Sequence, residues 1–367
     1  RGPRALVALA RPQDGCRRMD LFPMAILYRL YKKDVLIWPQ IDGKSSLKLE
    51  HLSSANRLVT GQSHEAIVDV AATVELARRF FKKEKMWRYL EGYFDKETDA
   101  YRMAQLPIGL QSASGDHNRG LMVSGEYGPD QNYQIPVISI GTSIPYPNQT
   151  LWLRMDQPQL RDTTPESIAE TTWVIRKRLG EPAILLPPHD RYWEKIGNDR
   201  NAIFEENLKW LQENHDVFQR IVKYYREFRY HFIPNLDPDP SLYQIGFYSK
   251  ADEKLCRRFH RASLEEKADL VVQFSSPEAR TLAWRIICRN YPGAVSAKFA
   301  AEFQRYMERI NPLMDADAMV DYREERRATP VGVLNEINRL KHSEDLTDHQ
   351  IQLLTDLENY LHTEFKS

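Results

Sequence analysis

The sequence predicts an α+β multidomain protein with three parts in order: an incomplete α/β piece, a β-rich middle and an all-helical end. Three observations predict it. Helix-period apolar spacing dominates before about residue 88 and again after about 245. From about 100 to 160, Gly, Pro, Asn and Asp become frequent and separate short β-type runs. Residues 232–241, Phe-Ile-Pro-Asn-Leu-Asp-Pro-Asp-Pro-Ser, carry three prolines and read as a linker. The 367 residues suit about two or three domains.

Residues 19–33 predict a helix with Pro23 in its first turn, where the missing N–H costs little. Trp38-Pro39 and Asp42-Gly43 mark a loop, and residues 46–55 a short helix with Leu47, Leu49 and Leu52. Ser63-His64-Glu65 opens a clearer helix. Ala66, Ile67, Val70, Ala71, Val74, Ala77, Phe80 and Phe81 recur along it at three- and four-residue spacing. Lys82, Lys83 and Lys85 close it, favourably placed for the helix dipole. The β-type runs are Gly120–Tyr127, Gln134–Ile140 and Leu151–Met155. Helical patterns return at 165–179 and in the long aromatic run 203–228. Beyond the linker, helices are predicted at about 250–261, 264–273, 277–290, 297–310, 330–341 and 346–365.

Lys plus Arg and Asp plus Glu are 51 each, which excludes a uniformly basic nucleic-acid binder but leaves room for a local basic groove. No apolar run approaches the roughly 18 residues of a membrane span. Cys16, Cys256 and Cys288 give neither a disulfide framework nor zinc-ligand spacing, so a reducing, cytoplasmic compartment is expected. The apolar stretch Ala5–Ala10 is short for a signal peptide, and the chain is expected to begin inside a domain. Residues 1–33 carry a local charge of +6, either a solvated basic face or a phosphate-facing surface.

The sharpest chemical feature is His64-Glu65-Ala66-Ile67-Val68-Asp69. Five helical residues turn through about 500°, so the two side chains converge only if His64 precedes the helix and Asp69 lies in its first turns. A carboxylate flanked by Val68 and Val70 is costly to bury unless paired or metal-bound, and a histidine beside it suits a general base. The alternative is a capping Ser63 with an exposed His64.

The wider order is Arg18-Met19-Asp20-Leu21, Trp38-Pro39, Leu47-Lys48-Leu49-Glu50-His51-Leu52 and Ser63-His64-x4-Asp69. It resembles the C-terminal half of the nuclease domain of bacterial exodeoxyribonuclease I, a DEDD-superfamily 3′→5′ exonuclease with a catalytic His. Met122-Val123-Ser124-Gly125, Leu242–Asp252 and Arg289-Asn290-Tyr291-Pro292-Gly293 extend the resemblance from about residue 17 to 311. It implies an incomplete RNase H-like exonuclease domain (1–88), an SH3-like β-rich domain with flanking helices (89–232) and a helical C-terminal domain (233–367).

The resemblance further implies hydrolysis of single-stranded DNA to 5′-mononucleotides in DNA repair, with two Mg²⁺ ions. His64 is then the catalytic base and Asp69 a metal ligand. Lys48 stands where the family has a phosphate-contacting Arg, keeping the charge but losing the bidentate fork. Ser46 and Lys32 fall at strand-facing positions. Phe247 and Tyr248 match an aromatic pair suited to base stacking, although Phe247 also reads as a core aromatic. Tyr89 is a further channel-lining candidate. Single-strand-binding protein is an expected partner and a membrane is not. One departure stands out. The family's Asp-x-Glu pair and middle Asp are absent, since the acids before His64 are Asp14, Asp20, Asp34, Asp42 and Glu50. The rival expectation is therefore a non-catalytic single-strand-binding remnant.

Overall fold

The computed structural model describes residues 18–59, 66–242, 244–342 and 346–365. It is an α+β protein of two compact units, one ending at Arg229 and one beginning at Tyr230.

The first unit opens with α1 (Leu21–Tyr31), whose N-cap Asp20 accepts from Phe22 N at 2.9 Å. Its apolar residues run all round the helix, and Pro23–Tyr28 and Leu30 are buried. β1 (Gln40–Ile41) and β2 (Lys44–Ser45) form a small hairpin. Asp42 and Gly43 turn it with positive φ at both central positions, as a two-residue hairpin requires. α2 (Leu49–Asn56) and α3 (Ala66–Phe81) follow. Tyr28 stacks on Phe80 with ring centroids 4.2 Å apart and donates its hydroxyl to Phe80 O at 2.7 Å, which locks α3 against α1. Ala72, Leu76 and Phe80 form the buried face of α3, while Ile67, Val70, Val74 and Phe81 stay exposed.

Two unexpected helices, α4 (Glu84–Glu91) and α5 (Lys96–Ala104), lead to an antiparallel sheet. Its strands are β3 (Ile108–Ser112), β4 (Gly115–Val123), β5 (Gln134–Thr142), β6 (Thr150–Arg154) and β7 (Val174–Lys177), paired in that order. β8 (Ile184–Leu186) returns to pair with β4. Alternation sends Met122, Ile135, Val137, Trp152 and Leu185 into one core. Leu121 and Val123 face the opposite way, into the core of α1. Ile138, Ile140, Leu151 and Leu153 meet a helical layer through Phe204, Leu208, Phe218 and Ile221.

The expected helix 165–179 is corrected to a single turn, α6 (Ile168–Thr171), followed by β7. The β-branched residues Val174 and Ile175 and the following Arg176 and Lys177 pair with β6 in register Thr150↔Lys177, and sheet packing overrides helical spacing. After α7 (Asp190–Trp193), the expected single run 203–228 is two helices, α8 (Asn198–Glu213) and α9 (His215–Glu227). They break at Asn214, whose side-chain amide donates to Trp210 O at 2.8 Å.

The second unit is helical: α10 (Pro238–Ser241), α11 (Lys250–Arg261), α12 (Leu264–Val271), α13 (Pro277–Asn290), α14 (Ala297–Ile310), α15 (Pro330–Lys341) and α16 (Asp348–Glu364). α10 corrects the wholly linker-like expectation for 232–241. Ser249, Ser263, Ser276, Thr329 and Thr347 cap their helices through side-chain oxygens. The core holds Cys256, Phe259, Leu270, Val271, Phe274, Leu282 and Ile287. Arg285 staples the Pro-rich segment to it, binding Asp237 through two hydrogen bonds of 2.7 and 2.8 Å and Asp239 at 2.9 Å.

Candidate nucleic-acid interface

The sequence from Pro39 to Leu52 builds the site. Ser46 N donates to Pro39 O at 2.9 Å, closing the β1–β2 hairpin onto the start of α2. The buried Ser45 accepts from Arg29 Nε at 2.8 Å, which pins β2 to α1. Lys48 is the N-cap of α2 and makes no side-chain cap bond. The first amides of α2 thus lack a side-chain cap, and the positive end of the helix dipole lies beside a lysine. The Lys48 side chain is 73% exposed, and its ammonium is 3.9 Å from Glu50 Oε1. Ser46 Oγ lies 2.7 Å from His51 Nδ1. Arg18, Asp20, Phe22, Lys48, Leu52 and Thr73 line a cavity of about 540 Å³ between α1, α2 and α3.

Asp69 lies in the first turn of α3 and is half-buried. Its carbonyl accepts from Thr73 Oγ1 at 2.7 Å. Asp69, Thr73 and Leu76 are spaced i, i+4, i+7 and share one helix face, and Thr73 and Leu76 line the cavity. The cavity therefore joins a cationic helix start to the stripe carrying Asp69. His64 lies outside the described residues.

Lys32 is the exposed C-cap of α1, about 15 Å along the helix from the cavity-lining Phe22. It is not brought together with Lys48. In the second unit Phe247 is 97% exposed, which excludes a core role for it. Its neighbour Tyr248 packs against the helical core, where burial pushes its phenol up to about 12. Tyr89 stacks edge-on against Tyr93, and the Arg102 guanidinium lies 4.5 Å and 4.4 Å from their ring centres.

His51 and Thr73 are the cavity-region residues the sequence reading did not single out. The only signal for His51 was its place in Leu49-Glu50-His51-Leu52. Among the described residues, no group of three or more His, Cys, Asp or Glu could hold a metal ion. Asp20, which lines the cavity, is already engaged as the cap of α1, and Asp69 lies beyond the lining on the Thr73–Leu76 face. The described residues thus fit one carboxylate ligand and do not fit a two-ion cluster. Among them, no helix is long and apolar enough to cross a membrane.

The family model described as Exonuclease I C-terminal domain matches residues 236–364. Exodeoxyribonuclease I of Escherichia coli K12 is 23% identical over 329 residues, covering 84% of this chain. The chain spans 66% of that relative's length. A zinc-bound E. coli ExoI–single-stranded DNA complex matches with a TM-score of 0.71 at 18% identity, over 94% of this chain and 72% of that one. An ExoI/SSB-Ct complex matches with a TM-score of 0.72 at 19% identity, over 95% and 72%. Residues 236–364 thus match the Exonuclease I C-terminal domain, and in its sequence relative and its fold the chain is similar to exodeoxyribonuclease I.

Proposed function

We propose that this chain acts in 3′→5′ hydrolysis of single-stranded DNA to 5′-mononucleotides, in DNA repair and recombination in the cytoplasm. The observation that carries this is the cavity between α1, α2 and α3. It sets the exposed Lys48 at a helix N-terminus opposite the face bearing Asp69. A phosphodiester suits the cationic side by charge and by the free ends of backbone amides.

In this proposal Lys48, Ser46 and Lys32 contact strand phosphates, and Phe247 and Tyr248 stack on bases. Phe247 is the better placed of the two, being exposed. His64 takes the proton of the attacking water, and Asp69 offers one hard oxygen ligand to Mg²⁺. A divalent ion held there would activate water and steady the leaving oxygen, with Asp69 supplying one of its ligands. Single-strand-binding protein is the proposed partner; the ExoI/SSB-Ct complex of similar fold supports it.

The test is shortening of a 5′-labelled single-stranded oligonucleotide by the full chain, with and without Mg²⁺, beside Asp69→Asn. Metal-dependent loss from the 3′ end that disappears in the variant is expected. Salt-sensitive retention of the strand without shortening would overturn the hydrolytic part.

A further inference from the structure

Ser46 Oγ has two hydrogen-bonding neighbours whose roles differ. Lys48 N–H, 3.4 Å away, can only donate. His51 Nδ1, 2.7 Å away, donates or accepts according to its tautomer. If Nδ1 is bare, it accepts the serine O–H, and Ser46 presents only lone pairs outward, which repel a phosphate oxygen. If Nδ1 carries hydrogen, Oγ accepts from both neighbours and its own O–H is left for a third group.

The surroundings leave that second arrangement open. His51 Nε2 lies 3.6 Å from Glu50 Oε1, beyond hydrogen-bond reach, so this contact does not require the ring proton to sit on Nε2. The backbone around Ser46 is fixed from both sides. Pro39 O holds its amide, and Arg29 and Tyr133 OH hold Ser45 at 2.8 and 3.4 Å. The imidazole is thus the element that decides where the serine proton points. Both side chains are half-buried and so reachable by a ligand.

We infer that His51 is a positioning residue for the phosphodiester contact at the start of α2: its Nδ1–H donates to Ser46 Oγ and turns the Ser46 hydroxyl proton outward, beside the Lys48 ammonium. The inference rests on the strand-binding reading above and adds a residue to it. A pair that merely closes the turn would need no particular donor direction.

The test is binding of a fluorescent oligo-dT to the full chain without divalent metal, read by anisotropy. The variants are Lys48→Ala, Ser46→Ala, His51→Ala, the Ser46/His51 double alanine and His51→Asn, with melting temperatures recorded for each. Ser46→Ala and His51→Ala should each weaken binding about ten- to a hundredfold, in line with loss of one hydrogen bond to a charged group. The double variant should be no weaker than either single one. His51→Asn, which restores an N–H near the Nδ1 position, should recover to within about twofold of the parent. Additive losses, or an Asn variant as weak as Ala at parental melting temperature, would overturn the inference. If the parent binds and Lys48→Ala weakens it while both single alanines are neutral, the inference fails and the strand-binding reading stands. If the parent does not bind, both fail. Should His51→Ala unfold, the Ser46→Ala and His51→Asn pair still decides.

Discussion

Replacing Arg285 with Met tests how the helical unit is held together. The Asp237 side chain is 1% exposed and receives two hydrogen bonds from Arg285. Arg285 also binds Asp239 and stacks 3.6 Å from the Tyr306 ring centre. Removing one partner of such a buried pair leaves an uncompensated charge, at a cost of about 3–5 kcal/mol. Arg309 remains 3.6 Å from Asp237, but it is 60% exposed, and solvent screening limits its compensation to about 1 kcal/mol or less. Loss of the cation–π contact adds about 1 kcal/mol. The net cost is therefore about 3–5 kcal/mol. For a unit of this size 1 kcal/mol moves the midpoint by roughly 3–5 °C, so calorimetry should show a drop of about 10–20 °C. A double variant, Asp237→Leu with Arg285→Met, removes both charges and should regain at least about half of it. A single-variant loss below about 1 kcal/mol, or a double variant as unstable as the single, would refute the buried-charge argument.

Three further outcomes follow from the same geometry. Lys48→Ala should lower the slope of log affinity against log salt by about 0.7, so a fourfold rise in salt should cost the variant about 2.6-fold less affinity than the parent. Phe80→Ala should cost about 3–5 kcal/mol in denaturant unfolding, because Phe80 is fully buried against Tyr28. Burial pushes the Asp237 and Asp252 carboxyls up, but hydrogen bonds from Arg285 and from Ser275 more than reverse this, and both titrate below the usual carboxylate range. Their stabilisation is therefore full above the unfolded value of about 3.9 and is lost as pH falls through the lower folded values. Melting temperature should drop below about pH 4, and less steeply in Asp252→Asn.

The helices of the second unit were the most legible part of the chain. Ser249, Ser276 and Thr329 each precede a periodic run, and α11, α13 and α15 begin and end where that pattern does. Cap chemistry is local, so sequence alone reveals it. β7 was illegible for the opposite reason. Its residues carry helix-compatible spacing, and only pairing with β6, some twenty residues upstream, makes them a strand. α5 was missed although Asp95 caps it, because the Gly- and Pro-rich sequence that follows drew the reading toward strands. At the candidate site, Lys48, Ser46 and Asp69 came from motif order. The cavity joining α2 to the Asp69 face required the packing of α1 between them. His51 escaped because its partner lies five residues back, across a turn-to-helix junction that periodicity does not describe.

The central claim is that the cavity between α1, α2 and α3 receives the 3′ end of a single strand. Photocrosslinking tests it most directly, using an oligonucleotide with a photoreactive base at its 3′ terminus and mapping the adducts by peptide mass spectrometry. The account predicts adducts within residues 46–52 and 69–76 that diminish in Lys48→Ala. Adducts confined to other segments, or unchanged by that substitution, would contradict it.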